Sequence, residues 1–328
     1  MLDEDQDAVA RFRSGAARLV GSWRLLGIFI PFLILFVTLS ISSGPFFTRT
    51  NLINILDQQS YTLVIAAAGT LVLVAGGIDL SVGAIYGLCA VVSGNIAEHH
   101  SPVIAIVVAL FVGLGVGTLN GVIVALFKIN ALIATLAMSF VISGVALKVA
   151  GGNLIVLSQN SGFYKFANNE LWSVPYAVWI VLVFCVILGL LLARTNFGRH
   201  VVASGGNAEA ARLAGVRVNQ IRIITYSLSG LAAGLAGVID TSRLLSAQAN
   251  QGGSALTFLV LAGIVVGGTS IAGGEGSVPR TVIGVLFIAL IYNGFNLLGV
   301  DVYYQQIVLG LILLLAVGLD VWARKRRN

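Results

Sequence analysis

The sequence predicts an all-α integral membrane protein, and three observations carry that expectation. Residues of the AVILMFWYC class make up 58% of the 328-residue chain and charged residues only 10%, where a soluble domain is about a quarter charged. A chain of this size has too little interior to hide so much apolar surface, so lipid must be its solvent. The apolar residues fall in unbroken runs rather than alternating. Of the two architectures that satisfy every backbone group in lipid, this selects helices over a closed barrel. The 39 glycines suit helices that approach closely in a bilayer.

A crossing helix needs about 20 apolar residues. Ten segments are expected to cross, one of them short or broken: 23–42, 60–77, 82–98, 102–127, 131–150, 175–193, 221–240, 255–270, 278–298 and 303–322. The run that follows residues 1–22 is longer than the roughly 7–15 residues of a signal-peptide core, so it reads as a retained first span behind a charged tail. The stretch from Leu256 to Gly268 gives about 20 Å of helix against about 30 Å of hydrocarbon, which makes it the short one.

Lys and Arg set the orientation. With both termini in the cytoplasm, fifteen of the 19 basic residues fall inside: Arg11, Arg13, Arg18, Arg24, Lys128, Arg194, Arg199, Arg212, Arg217, Arg222, Arg280, Arg324, Lys325, Arg326 and Arg327. Arg49, Lys165 and Arg243 fall outside, and Lys148 lies near an outer helix end. The chain thus divides into a cytoplasmic tail (1–22), one transmembrane domain (23–322) with a long cytoplasmic loop (194–222), and a basic cytoplasmic tail (323–328). The net charge of +6 is explained by this placement, and no nucleic-acid-binding motif accompanies it. Cys89 and Cys185 lie inside apolar runs and read as small hydrophobes. No His, Cys, Asp or Glu cluster has metal-ligand or catalytic spacing.

The loop 194–222 contains one clear helix signal. Asn207 is a good N-cap, Glu209 favours a first turn, Ala208, Ala210, Ala211, Arg212, Leu213 and Ala214 favour helix, and Gly215 suits a stop. So short a helix is marginal in water unless it packs on something. It is either a linker lying on the protein's own inner surface or a knob for a cytoplasmic partner, and the residues alone leave both open.

At this loop the sequence resembles the permease subunits of the ribose-type carbohydrate ABC importers, over nearly the whole chain. Phe46-Phe47-Thr48 with Asn51, Asn54-Ile55 and Gln59-Ser60 resembles the family's first outer segment. Gly76-Gly77-Ile78-Asp79-Leu80-Ser81-Val82-Gly83 is the most specific match. Gly205 to Val216 with Tyr226-Ser227-Leu228-Ser229-Gly230 resembles the coupling loop and the helix after it. Arg243 to Gln248, Gly267-Gly268-Thr269-Ser270 with Gly273-Gly274-Glu275-Gly276, and Asn293 to Val300 complete the order. At Ala255-Leu256-Thr257 the family commonly shows Glu-Leu-Asp, which points to a different cargo within the family.

The resemblance implies a bacterial inner-membrane permease that imports a small sugar or polyol by alternating access. It implies a cytoplasmic ATP-binding cassette partner, a periplasmic sugar-binding protein, and a second permease subunit, identical or not. ATP and Mg²⁺ would be bound by the partner and no cofactor by this chain, which contains no G-x-x-x-x-G-K-[ST] phosphate loop. Residues 207–215 would receive the partner's motion. The chain itself would not be an enzyme.

The remaining polar and glycine residues admit two readings each. Asp79 either caps the following helix with Ser81 or acts directly in transport, since a carboxyl at membrane depth is costly. Gly76, Gly77 and Gly83 permit a turn, and Gly267, Gly268, Gly273 and Gly274 form a second turn or hinge. Asn293 and Asn296 share a helix face with Tyr292 nearby, and Asn120 lies in the fourth span. These amides either line a path for hydroxylated cargo or hold helices together. Asp240 and Asp301 are expected to reach water at outer ends. The rival functions are an ABC permease for branched-chain amino acids or nucleosides, an ion-coupled carrier and a membrane enzyme.

Overall fold

The computed structural model describes residues 27–158 and 162–325. The tail expected at 1–22, the first four residues of the first span and the last three residues lie outside them.

The described chain is mostly helical. Its helices are α1 (Gly27–Ser42), α2 (Arg49–Gln58), α3 (Ser60–Val74), α4 (Val82–His99), α5 (Pro102–Ala125), α6 (Ala131–Val149), α7 (Tyr164–Asn168), α8 (Tyr176–Arg194), α9 (Asn196–Gly206), α10 (Ala208–Leu213), α11 (Val218–Leu244), α12 (Gly253–Val266), α13 (Val278–Leu297) and α14 (Val302–Lys325). All ten expected segments coincide with a helix. By length and composition α5, α6, α8, α11 and α13 suffice to cross a bilayer, while α1, α3, α12 and Tyr303–Leu315 within α14 are shorter apolar stretches.

Helix α11 is the centre. It packs on α5, α4 and α3, and 67% of its most apolar stretch is buried, against 22% for α5 and α6. Small residues make this possible: a Cβ on Gly230 would fall 2.2 Å from the Gly113 carbonyl oxygen, so α5 and α11 touch backbone to backbone. On α5, α6 and α8 the large side chains Phe111, Phe140 and Ile187 face outward and exposed. That inverts the soluble pattern and fits lipid as solvent.

The short spans have a local cause. Helix α3 stops at Val74, before Gly76 turns left-handed at φ +78, so the span expected to reach residue 77 ends earlier. Helix α12 has 14 residues, and its first turn abuts Gly83 near the start of α4 rather than the far end of the bundle. The remaining distance is made by non-helical chain from Leu245 to Gly252, whose strand β4 (Ser246–Ala247) pairs antiparallel with β1 (Ile155–Val156). A second small pairing, β2 (Glu170–Leu171) with β3 (Val174–Pro175), and α7 lie in the loop between α6 and α8. Asn168 of α7 reaches the Ser242 carbonyl, so this loop covers the last turn of α11.

Besides α7 and the short strands, two longer helices were not expected. Helix α2 occupies the first outer segment, capped by Thr48, whose hydroxyl accepts from the Asn51 N–H. Helix α9 fills the first half of the loop 194–222, capped by Thr195, whose hydroxyl accepts from the Gly198 N–H.

Candidate functional site

The loop 194–222 folds as two helices at one end of the bundle. Asn207 caps α10, its side-chain oxygen accepting from the Glu209 N–H at 3.1 Å and the Ala210 N–H at 3.0 Å. Gly215, at φ +85, donates to the Arg212 carbonyl, and the Val216 N–H donates to the Ala211 carbonyl, a Schellman stop that leaves Ala214 as the cap. Only Ala211 is turned inward. Glu209 and Arg212 pair at 3.5 Å on the exposed side, and Leu213 is 84% exposed.

Behind α10, three glycine turns that the sequence places far apart meet at one junction. The Gly274 N–H donates to the Val74 carbonyl at 2.9 Å, tying the α12–α13 turn to the end of α3. Gly205, in the last turn of α9, is wedged between them: a Cβ there would sit 1.8 Å from the Val74 oxygen and 2.7 Å from the Gly274 nitrogen. A Cβ on Gly273 would come within 2.9 Å of both the Gly205 oxygen and the Gly76 Cα. Gly267 packs as closely, on Arg280 of α13. Helix α9 therefore meets the end of α3 and the α12–α13 turn backbone to backbone, with no side chain between them.

Just deeper, the non-helical stretch between α3 and α4 has its polar groups satisfied by side chains from other helices. Asp79 is 6% exposed. One of its carboxyl oxygens accepts from the Ser81 N–H at 3.0 Å and the Ser81 hydroxyl at 2.6 Å, and the other from the Ser229 hydroxyl of α11 at 2.9 Å. The Leu80 N–H donates to Thr135 of α6 and the Gly83 N–H to Thr257 of α12. Tyr226 of α11 donates to the Ile78 carbonyl, and Asn120 of α5 donates to the Ser81 hydroxyl at 2.7 Å. Irregular backbone is tolerated at membrane depth when protein groups replace the missing partners. Asn120 thus sits in this knot, with its amide oxygen buried and unpartnered.

The other predicted amides lie toward the opposite end. Asn293 exchanges two hydrogen bonds with Asn51 of α2, at 2.9 and 3.1 Å. Asn296 accepts from Gln305 of α14 at 3.0 Å. Tyr292 instead lines an open cavity of about 450 Å³ with Tyr61, Tyr86, Asp240, Arg243, Gln251 and Gln305. Asp240 does not reach water as expected; it is 2% exposed. It accepts from the Tyr86 hydroxyl, the Gln251 amide and, at 2.9 Å, Arg243. Arg243 also contacts Asp57 of α2 at 3.6 Å. Sequence reading missed this cavity because its walls come from six helices and a loop. Its one signal was Asp240 and Arg243 spaced i, i+3 at the end of an apolar helix.

Residues 51–317 match the family model described as branched-chain amino acid transport system / permease component. The chain is 41% identical to the ribose import permease of Escherichia coli K12 over 299 residues, 89% of this chain and 92% of the relative. It is 42% identical to the ribose import permease of Bacillus subtilis 168 over 303 residues, 92% of this chain and 94% of the relative. It is also 37% identical to the L-arabinose ABC transporter permease of Azospirillum brasilense over 312 residues, 94% of this chain and 91% of the relative. No solved structure matches it.

Proposed function

The chain belongs to the branched-chain amino acid transport system / permease component family, and from that premise we propose that it is the membrane-spanning subunit of an ATP-driven sugar importer. The sugar, rather than an amino acid, follows from relatives that are ribose and arabinose permeases over nine-tenths of their length. The ten apolar helices cross the bacterial inner membrane, with the α9–α10 end and both termini in the cytoplasm. Lys128, Arg194, Arg199, Arg212, Arg217, Arg222 and Arg280 belong to that end, and Arg49, Lys148, Lys165 and Arg243 to the other, which supports the orientation. A binding protein delivers sugar to the outer end, and a second permease copy or sister subunit completes the pathway.

The observation that carries the mechanism is the exposed α10 seated on the glycine junction. A cytoplasmic ATPase that holds ATP and Mg²⁺ grips α10 by Leu213 and the Glu209–Arg212 pair. Its closure moves α9, and the junction passes the motion to α3, α12 and α13. The free energy enters because the ATPase binds the two arrangements of α10 with different strength. The amides of Asn120, Asn293 and Asn296 hold helices together, while Asp79 secures the broken stretch before α4.

The test is Leu213→Asp. An exposed substitution should change stability by no more than about 0.5 kcal/mol. ATP-dependent uptake of radiolabelled D-ribose or L-arabinose should nevertheless fall by about tenfold or more, since a buried interface anchor is commonly worth about 2 kcal/mol. Normal uptake in that variant, or in cells lacking every partner ATPase, defeats the mechanism. Uptake of leucine and not of either pentose defeats the cargo assignment.

A further inference from the structure

The cavity at the end opposite α10 is open and combines aromatic, apolar and polar wall. Its walls are neither a solvated surface nor a sealed core. Tyr61 and Tyr86 present a tilted pair of rings with centroids 5.7 Å apart, and Tyr292 stands on the α13 side. Leu256, Leu259 and Leu309 supply apolar wall. Its volume, about 450 Å³, lies in the range of roughly 300–1,000 Å³ typical of small-molecule sites.

The polar groups in it fall into two sets. One set is fixed. Asp240 is held by Tyr86, Gln251 and Arg243, and the Gln251 oxygen accepts from the Gln248 N–H, which pins the loop that forms one edge. The other set is unspent. Neither the Tyr292 hydroxyl nor the Gln306 amide has a side-chain hydrogen-bond partner among the described residues. Arg243 keeps a buried Nε–H with no acceptor. Fixed charges with spare neutral donors and acceptors, framed by aromatic rings, select by hydroxyl pattern rather than by charge.

We propose that this cavity is a cargo-binding waypoint for a neutral, polyhydroxylated molecule, and that Tyr292, Gln306 and Ala255 read it. The proposal rests on the sugar-importer reading above and adds where in this chain the sugar is held. A cation would find Asp240, the one carboxylate in the wall, already accepting from Tyr86, Gln251 and Arg243. A zwitterionic amino acid needs a free charge of each sign, and Arg243, the cavity's one guanidinium, already faces two carboxylates and keeps only its buried Nε–H. A sugar needs what remains: ring faces for its C–H groups, and an amide and a phenol for its hydroxyls. Ala255 is exposed at the wall, so the side chain at this position sets how much room the cargo has.

The experiment uses the whole importer in proteoliposomes with D-ribose and L-arabinose as probes, and reads sugar moved per ATP hydrolysed. Tyr292→Phe and Gln306→Ala each remove one neutral hydrogen bond, so the ratio should fall about fivefold. Ala255→Trp fills the space, so the ratio should fall about tenfold or more. As an independent readout, Gln306→Cys in a Cys89→Ala, Cys185→Ala background should react with a charged, membrane-impermeant thiol reagent from the outer side only. Wild-type ratios in all three variants would overturn the proposal. So would an unreactive Gln306→Cys in a chain that still transports. Transport that continues without nucleotide would instead sink the importer reading. The labelling result would stand apart from that failure, because it needs no ATP.

Discussion

Replacing Asp79 separates a structural carboxyl from one that works in transport. Its two oxygens accept three hydrogen bonds, from the Ser81 N–H, the Ser81 hydroxyl and the Ser229 hydroxyl. In Asp79→Ala the two hydroxyls can rotate toward other acceptors, as serines in helices do toward the carbonyl four residues back. The Ser81 N–H cannot rotate, and Ser81 is fully buried. One stranded amide at about 1–3 kcal/mol, with two weakened hydroxyl bonds at about 0.5 kcal/mol each, gives a loss of about 2–4 kcal/mol. Asp79→Asn keeps one oxygen for both Ser81 donors and offers an N–H to the Ser229 oxygen, so it should cost no more than about 1 kcal/mol. Thermal unfolding in detergent can be followed with a fluorogenic thiol dye in a Cys185→Ala background, because Cys89 is free and buried and reacts when the bundle opens. The expected order is wild type, then Asp79→Asn slightly below it, then Asp79→Ala several degrees lower, with uptake tracking the folded fraction. A stable Asp79→Asn that transports nothing would refute the reasoning, because the carboxyl would then be needed for more than accepting those bonds.

At the junction, Gly205→Ala puts a methyl 1.8 Å from the Val74 oxygen. Backbone must move to admit it, so the same dye assay should report a loss of about 1–3 kcal/mol, and coupling of ATP hydrolysis to uptake should weaken. Asn293→Ala should cost about 1 kcal/mol by breaking the exchange with Asn51 and should leave the affinity for sugar unchanged in uptake measurements. Arg243→Ala should be far more damaging, about 3 kcal/mol, because it leaves Asp57 and Asp240 facing one another without their shared cation. Adding Asp57→Asn to that variant should recover part of the loss in the same unfolding assay, since one of the two uncompensated charges is then removed.

Much of the bundle was legible because lipid makes apolar run length a direct measure of a helix. Helix α10 was legible for a different reason: Asn207, Glu209 and Gly215 each act through local backbone hydrogen bonds, so nine residues of sequence, 207–215, contain the whole argument. Helix α9 was missed since the residues it buries are Gly198, Val201 and Ser204, two of which no apolar periodicity registers. The available signal was Thr195, a good N-cap at the end of α8. The turns at Gly76 and at Gly273–Gly274 were legible as turns. Their meeting with Gly205 was not, because close backbone approach leaves no trace except the absence of a side chain. Asp240 misled for the opposite reason. Its position near a helix end suggested water, and only the return of the chain through Gln251 shows that it is enclosed.

The two ends of the molecule are joined by the same short helices, and on the proposed mechanism this lets a small motion at one matter at the other. Helix α3 begins with Tyr61 in the cavity wall and ends with Val74 at the glycine junction, only 13 residues later. Helix α12 likewise begins beside Ala255 and Leu256 in the cavity and ends at Gly267 against α13. Each is a rod of about 21–23 Å with one end at the cavity; the other end of α3 meets α9 at Gly205, and that of α12 packs on α13 and leads into the turn at Gly273–Gly274 that meets Gly205. A rod this short does not bend appreciably over its length, so a shift of about 1–2 Å imposed at the junction must reappear in the cavity as a shift or tilt of comparable size. For the proposed cargo site, that would be enough to exchange one set of hydrogen bonds to a hydroxylated ligand for none. The full-length helices α5 and α11, locked to each other through Gly113 and Gly230, form the frame against which the two short rods can move.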